Sequence, residues 1–247
     1  MAQYSTDPNT SEHVPWSAPV VDIPTGLPEK PAVSDSVLSE HADNLAHEWD
    51  MAPGDPKQHG FSERIKRLQD RLAELLRKCR AIASTEELTP QLEILESSRM
   101  MESAITAGSG VADTFVELPH VRVESRNKLP RVMNLAEGYL SAAGGIWSPE
   151  SLTVYVRQVQ KHDALLLAEV SALPQALKLA QLEYILDRAD EAFAAGEIPP
   201  IELSPFSAIL HSLRRLNQVE WRNILEPLIA FDAILREDPA GVFARME

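Results

Sequence analysis

From Phe61 the apolar positions fall at Phe61, Ile65, Leu68, Leu72, Leu75, Cys79 and Ile82, in alternating steps of four and three. That spacing keeps one narrow stripe of a helix facing one way, and it predicts an amphipathic helix over 61–82. A seam this narrow can pair with another helix of the same chain, which is the expected partner, or with a second copy, and three heptads are too few to claim a coiled-coil dimer. Ser84-Thr85-Glu86-Glu87 then offers a capping box, and Thr89-Pro90 sets a cap residue before a first-turn proline, so a second helix is expected to about Ala107. Gly108-Ser109-Gly110 stops it. Residues 111–128 mix apolar and polar positions without a sustained period and read as an irregular connection. Alternation with β-branched residues appears only briefly there, at His120-Val121-Arg122-Val123.

Prolines then punctuate helix starts at Leu129-Pro130, Ser148-Pro149, Leu173-Pro174 and Ser204-Pro205, where a missing N–H is harmless. They predict helices over about 130–143, 149–169, 172–195 and 205–217, with Ala143-Gly144-Gly145 and Gly196 as stops. A last helix is expected from near Val219 to Asp238-Pro239, bent at the interior Pro227. The expected fold is all-α, a domain of about seven helices over 61–247.

Composition changes the picture upstream of Phe61. Residues 1–60 hold eight of the eighteen prolines, and two lysines face ten acidic residues. Such a segment averages too little apolar surface to offset its ordering entropy, and it is expected to be a disordered leader, in which pieces such as Val33 to Trp49 would form at most a transient helix on a partner. The leader carries −8 of the formal charge of −14. That balance disfavours nucleic acid and anionic lipid surfaces. No stretch approaches the ~18 apolar residues a membrane span needs, and nothing at the N-terminus resembles a signal peptide. Cys79 is the sole cysteine and sits on the apolar stripe, as a buried thiol would.

Candidate chemistry is sparse. Asp187, Asp190 and Glu191 put three carboxylates on one helix face, a pattern with which all-α isoprenoid synthases hold magnesium, but a second acidic motif to face them is missing, and a solvated helix face is the simpler reading. The seven histidines, at 13, 41, 47, 59, 120, 162 and 211, show no ligand spacing with cysteine or acid. No nucleophile elbow, phosphate-cradling loop or dinucleotide fingerprint occurs. Neither a catalytic residue, a metal nor a cofactor is therefore expected. Around Leu213 to Arg222, Arg214, Arg215 and Arg222 crowd a helix junction beside Trp221, where arginine caps carbonyls, pairs with acids or stacks on the ring. Glu169 and Glu183 fall among apolar helical positions and need partners, for which Arg131, Arg188 and Arg214 are the candidates.

The order of several short motifs resembles the N-terminal helical region of bacterial cyclic β-1,2-glucan synthases. The residues are Glu117-Leu118-Pro119, then Leu129-Pro130-Arg131-Val132, then Glu169-Val170-Ser171-Ala172-Leu173-Pro174 with Glu183 following, then Ser212-Leu213-Arg214 and Trp221-Arg222. The series ends at Asp238-Pro239-Ala240-Gly241-Val242-Phe243-Ala244-Arg245-Met246-Glu247, and the resemblance spans roughly Leu92 to Glu247. Two features depart from that pattern: Ser171 stands where relatives generally carry tryptophan, and the connection from Glu197 to Pro205 is short. In that family the region precedes membrane helices, a glucosyltransferase domain that uses UDP-glucose and a phosphorylase-like domain. The resemblance thus implies a non-catalytic cytosolic module on the cytoplasmic side of the bacterial inner membrane, whose partners are the downstream domains of the same polypeptide. Its motif residues, Arg131, Glu169, Pro174, Glu183, Arg214, Trp221, Arg222, Asp238, Pro239, Gly241 and Arg245, are then structural. The alternative is a stand-alone helical module that binds a protein partner through the Phe61 to Ile82 seam or the leader.

Overall fold

A computed structural model of the chain describes residues 27–54, 60–82, 90–123, 126–195 and 205–229. The described residues are mostly helical, and the fold is all-α in class. Among the described residues there are ten α-helices, where about seven were expected over 61–247: α1 (Asp35–His47), α2 (Gly60–Ile82), α3 (Pro90–Glu96), α4 (Ser98–Gly110), α5 (Ala112–Glu117), α6 (Arg131–Ala142), α7 (Pro149–Val159), α8 (Leu167–Ala195), α9 (Pro205–Gln218) and α10 (Trp221–Leu225). None is long and apolar enough to cross a membrane.

The 29-residue α8 is the central strut. Val170, Leu173, Ala176, Leu177, Leu179, Leu182, Ile185, Leu186 and Ala189 are all buried, so the helix is apolar around most of its circumference, as a helix enclosed by neighbours must be. It packs against α6, α9, α4 and α2. From Phe61 to Cys79 the seam of α2 is buried within the chain, with Phe61 stacked on Phe115 of α5 at 4.7 Å between centroids, so that stripe is already occupied.

The break after α7 and the start of α8 differ from the punctuation expected from proline. α7 ends at Val159, and Gln160 ties the following turn down: its amide donates to the Leu228 carbonyl at 3.1 Å and accepts from the Leu165 N–H at 3.3 Å. α8 then begins at Leu167, where the Glu169 carboxylate accepts the Leu166 N–H at 2.9 Å and supplies a cap that leucine cannot. Pro174 therefore lies inside the helix, not at its start. An interior proline costs ~3 kcal/mol through a missing bond to the carbonyl four residues back. Its burial in the middle of the core is the offsetting gain.

Elsewhere the punctuation holds. Ser148 and Ser151 form a reciprocal capping box with Pro149 at the first turn of α7. α6 stops as the glycines require: Gly144 and Gly145 adopt φ of +63° and +75°, and the Gly145 N–H closes back on the Leu140 carbonyl at 2.8 Å. Pro227 does interrupt the last segment, since α10 ends at Leu225 and Glu226–Leu228 tighten into a 3-10 turn.

Two further expectations are corrected. Residues 111–128 are not simply irregular: they contain α5 and then β2 (His120–Val123), paired antiparallel with β3 (Arg126–Pro130) and with β1 (Asp50–Ala52). Register runs Met51 to Val121 to Leu129, with the Val121 side chain fully buried. The disordered leader was expected to extend through residue 60, yet residues 35–52 are folded onto the domain. Leu38 and Ala42 of α1 are fully buried against α7 and α6, and the Trp49 indole N–H donates to the Asn134 amide oxygen at 2.7 Å. Leu38, Ala42, Leu45 and Trp49 make a helical stripe that the surrounding prolines dilute in any compositional average. Residues 1–26 lie outside the described residues, as do Ser84 to Glu87, Gly196 and the motif positions Asp238, Pro239, Gly241 and Arg245.

Candidate functional site

Three polar assemblies gather the residues singled out above. The first is at the N-terminal end of α6, where Arg131 is 1% exposed and Glu169 of α8 is fully buried. The guanidinium meets the Glu169 carboxylate edge-on, with Nε donating at 2.8 Å and Nη2 donating to the second oxygen. Nη1 reaches the Asp163 carboxylate, Nη2 also reaches the Ala164 carbonyl at 3.2 Å, and the Trp49 ring lies 5.7 Å from the guanidinium carbon. Burial works against the Arg131 charge, but the hydrogen bonds and negative charge of Glu169 prevail and hold its pKa above the ordinary value. This answers the Glu169 requirement with one of the candidate arginines. Every atom of the pair is turned inward, so it staples α6, α8 and the turn between α7 and α8.

The second assembly is the helix junction around α9 and α10. Trp221 stacks on the fully buried Trp147 at 5.6 Å between centroids and 19° between planes, and Arg215 lies 5.6 Å from the Trp147 ring on its guanidinium carbon. The Trp147 indole donates to the Ser212 carbonyl at 3.0 Å, whereas the Trp221 indole N–H is buried with no hydrogen-bond partner among the described residues. Arg214 does not serve a carboxylate of α8: it donates to the Ser97 hydroxyl at 2.9 Å and sits 3.9 Å from Glu93. Arg222 is exposed. Burial, then the charges of Arg215 and Arg214, pull the neighbouring His211 below its usual pKa.

The third assembly opens on a cavity. A cleft of about 490 Å³ is lined by Arg64, Arg67 and Arg71 of α2, by Glu137 and Ser141 of α6, and by Glu183, Tyr184, Asp187, Arg188 and Glu191 of α8. The i, i+3, i+7 arginines of α2 form one wall and the acids of α8 the opposite one. At its inner end the Arg64 guanidinium is shared between Glu137 and Glu183, each about four-fifths buried. Burial raises the Glu183 carboxyl above the usual range, and Arg64 only partly opposes this. Farther out Arg71 reaches Asp187 at 2.8 Å and Asp190 at 2.7 Å, while Arg188 reaches Glu191 at 2.9 Å and the Tyr184 hydroxyl at 3.2 Å.

The partner of Glu183 is thus Arg64, and not Arg131, Arg188 or Arg214, the arginines expected from the sequence. The one available signal was the arginine repeat on the polar side of α2, in step with the acid repeat of α8. The magnesium-like triad faces arginine instead of further acid, and among the described residues no cluster of histidine, cysteine and acid is arranged to hold a metal. Comparison with known proteins adds no further assignment: the chain matches no family model, and no curated protein matches it.

Proposed function

We propose that this chain is a non-catalytic helical module of a cyclic β-1,2-glucan synthase-like glycosyltransferase. It would act beside the downstream glycosyltransferase and membrane domains of the same polypeptide, on the cytoplasmic side of a bacterial inner membrane, to position or regulate them. The observation that carries the proposal is the use to which the resembling motifs are put. Arg131 and Glu169 bond each other in the core, Pro174 is buried in α8, Glu183 is held by Arg64, and Trp221 stacks on Trp147. Residues that serve as staples between helices are those a scaffold depends on.

Nothing in the described residues supplies the complementary chemistry. Transfer from a nucleotide sugar needs a carboxylate base at the acceptor hydroxyl and, in most such enzymes, acids holding a metal against the diphosphate. Here the acids of the cleft are already bound to arginines.

The test uses the purified chain and UDP-glucose, with glucose transfer and UDP release measured separately from binding. No turnover is expected. Turnover that disappears in Asp187→Asn or Asp190→Asn would refute the proposal and indicate an all-α enzyme. Reading the gene on either side of this chain tests the second half: membrane-spanning segments and a glycosyltransferase domain are expected. Their absence would leave the alternative, a stand-alone helical interaction module, for which the solvent-exposed Leu166 and Leu167 at the head of α8 are the feature in favour.

A further inference from the structure

A small apolar contact and a row of polar ones hold α1 to the domain. Leu38 and Ala42 are fully buried, and Leu45 fits over Gly138 of α6, where a Cβ would come within 2.7 Å of its side chain. The polar row runs along α7 and is built on three histidines. His41 Nδ1 lies 2.9 Å from the Tyr155 hydroxyl. In the turn after α7, His162 Nε2 lies 2.7 Å from one Asp43 carboxylate oxygen, and the Gln158 amide donates to the other at 2.7 Å. The rings of His47 and His162 meet edge to face, 4.5 Å between centroids. We infer that α1 is a proton-released clasp: the touching rings of His47 and His162 share one proton at most while α1 is docked, and a second proton drives α1 off α7.

The charges around the two rings set the sign. Asp43 is the carboxylate that bonds His162, and the hydrogen bonds from His162 and then Gln158 hold its carboxyl below the usual range. A first proton, on His162, is therefore matched by an ionised partner across the interface. His47 donates Nδ1–H to the Asp43 carbonyl at 2.8 Å, which leaves Nε2 to take up the second proton. Two cations in ring contact would then face one carboxylate already shared with Gln158. The surrounding groups give no relief. Lys161 is a further cation acting on Asp43, and its ammonium donates to Gln158 at 2.6 Å. Asp163 is taken up by Arg131, Asp50 lies 3.6 Å from Arg122, and Glu48 is exposed at the end of α1 itself. His41 faces a neutral group, because burial pushes the Tyr155 hydroxyl well above the ordinary phenol range.

The helix is also placed to lift by itself. Before it, the Glu29 carbonyl accepts from Arg215; after it, Trp49 donates to Asn134 and β1 pairs with β2. Tethered at both ends, α1 opens as one local unit while the core around α8 stays closed. Histidine is the side chain whose charge changes between about pH 5 and 8, so the clasp works in that range. Opening uncovers Leu38 and Ala42 together with the face of α6 and α7 around Gly138 and Tyr155, an apolar surface that is covered when α1 is docked.

The experiment follows amide hydrogen exchange of the full chain from about pH 7.5 to about pH 5, corrected for the intrinsic pH dependence of exchange, and compares α1 with α8. Protection of α1 should fall about tenfold or more relative to α8 across that range. His162→Gln keeps an amide donor for Asp43 and removes one of the two charges, so α1 should stay docked at neutral pH and lose its response to acid. His47→Gln, at an exposed position, should act in the same way. In a His211→Leu background the response should persist, which separates it from any change in global stability. Protection of α1 that tracks α8 at every pH, a response that survives His162→Gln, or a response lost only in His41→Gln would each overturn the inference.

Discussion

Replacing Arg131 with methionine should be among the most damaging single changes in the domain, and replacing Glu169 with leucine should be damaging too, because it leaves a buried guanidinium that cannot lose its charge with Asp163 as its remaining carboxylate. In the parent the guanidinium is 1% exposed and the carboxylate fully buried, joined by two parallel hydrogen bonds. Removing only the arginine strands an ionised carboxylate in the core. The carboxylate must then be protonated, hydrated or left unpaired, at roughly 3–5 kcal/mol. Methionine fills part of the volume, so little of that loss is a cavity effect. In the double variant Arg131→Met with Glu169→Leu no charge remains to be stranded, and most of the stability should return, although the Leu166 N–H loses its cap. The assay is urea unfolding followed by circular dichroism for the parent, both single variants and the double variant. With a slope of ~2 kcal/mol/M, Arg131→Met should lower the midpoint by roughly 1.5–2.5 M. A shift under about 0.5 M, or a double variant no more stable than the worse single one, would refute the reasoning by showing that the pair is solvated or that its shape matters more than its charge.

Leu38→Ala should cost about 2–5 kcal/mol in the same assay, because Leu38 is fully buried between α1 and the helices beneath it; an unchanged midpoint would show that α1 is not docked in solution. Trp147→Ala should cost roughly 3–5 kcal/mol and Trp221→Ala distinctly less, since the first ring is buried and the second only partly so; equal losses would contradict the stacking order. The pKa of His211 is lowered by burial and by Arg215 and Arg214, so below pH 6.5 the unfolded chain takes up a proton that the folded chain still refuses. Stability should therefore fall as pH drops through that range, and His211→Leu should flatten this part of the pH profile; an identical profile would remove His211 from the account.

Much of the fold was legible locally. The heptad of α2, the Ser148-Pro149 start of α7 and the paired glycines after α6 are signals written within one or two turns of chain, and each element formed as its residues required. Elements defined by distant partners were read less well. β1 is three residues long and acquires its identity from β2, some seventy residues away. α1 was hidden by prolines on either side, although its stripe was visible residue by residue. Pro174 departs from its expected place because a proline in a first turn and a proline in a buried interior look alike until the cap is known, and that cap is the Glu169 carboxylate accepting the Leu166 N–H.

The candidate site shows the same division. By itself the sequence determined that Glu169 and Glu183 could not sit among apolar residues without partners, since an unpaired carboxylate has too high a desolvation cost. It also determined a helical class, from periodicity and caps that act over four or five residues. Which arginine answers which acid was decided by tertiary structure alone: Arg64 and Glu183 are 119 residues apart, and only the packing of α2 along α8 brings them together. The cleft is likewise a property of three helices at once, because Arg64, Arg67 and Arg71 come from α2, Glu137 from α6 and Glu183, Asp187, Arg188 and Glu191 from α8, and the spacing between those walls is set by the packing of the core beneath them.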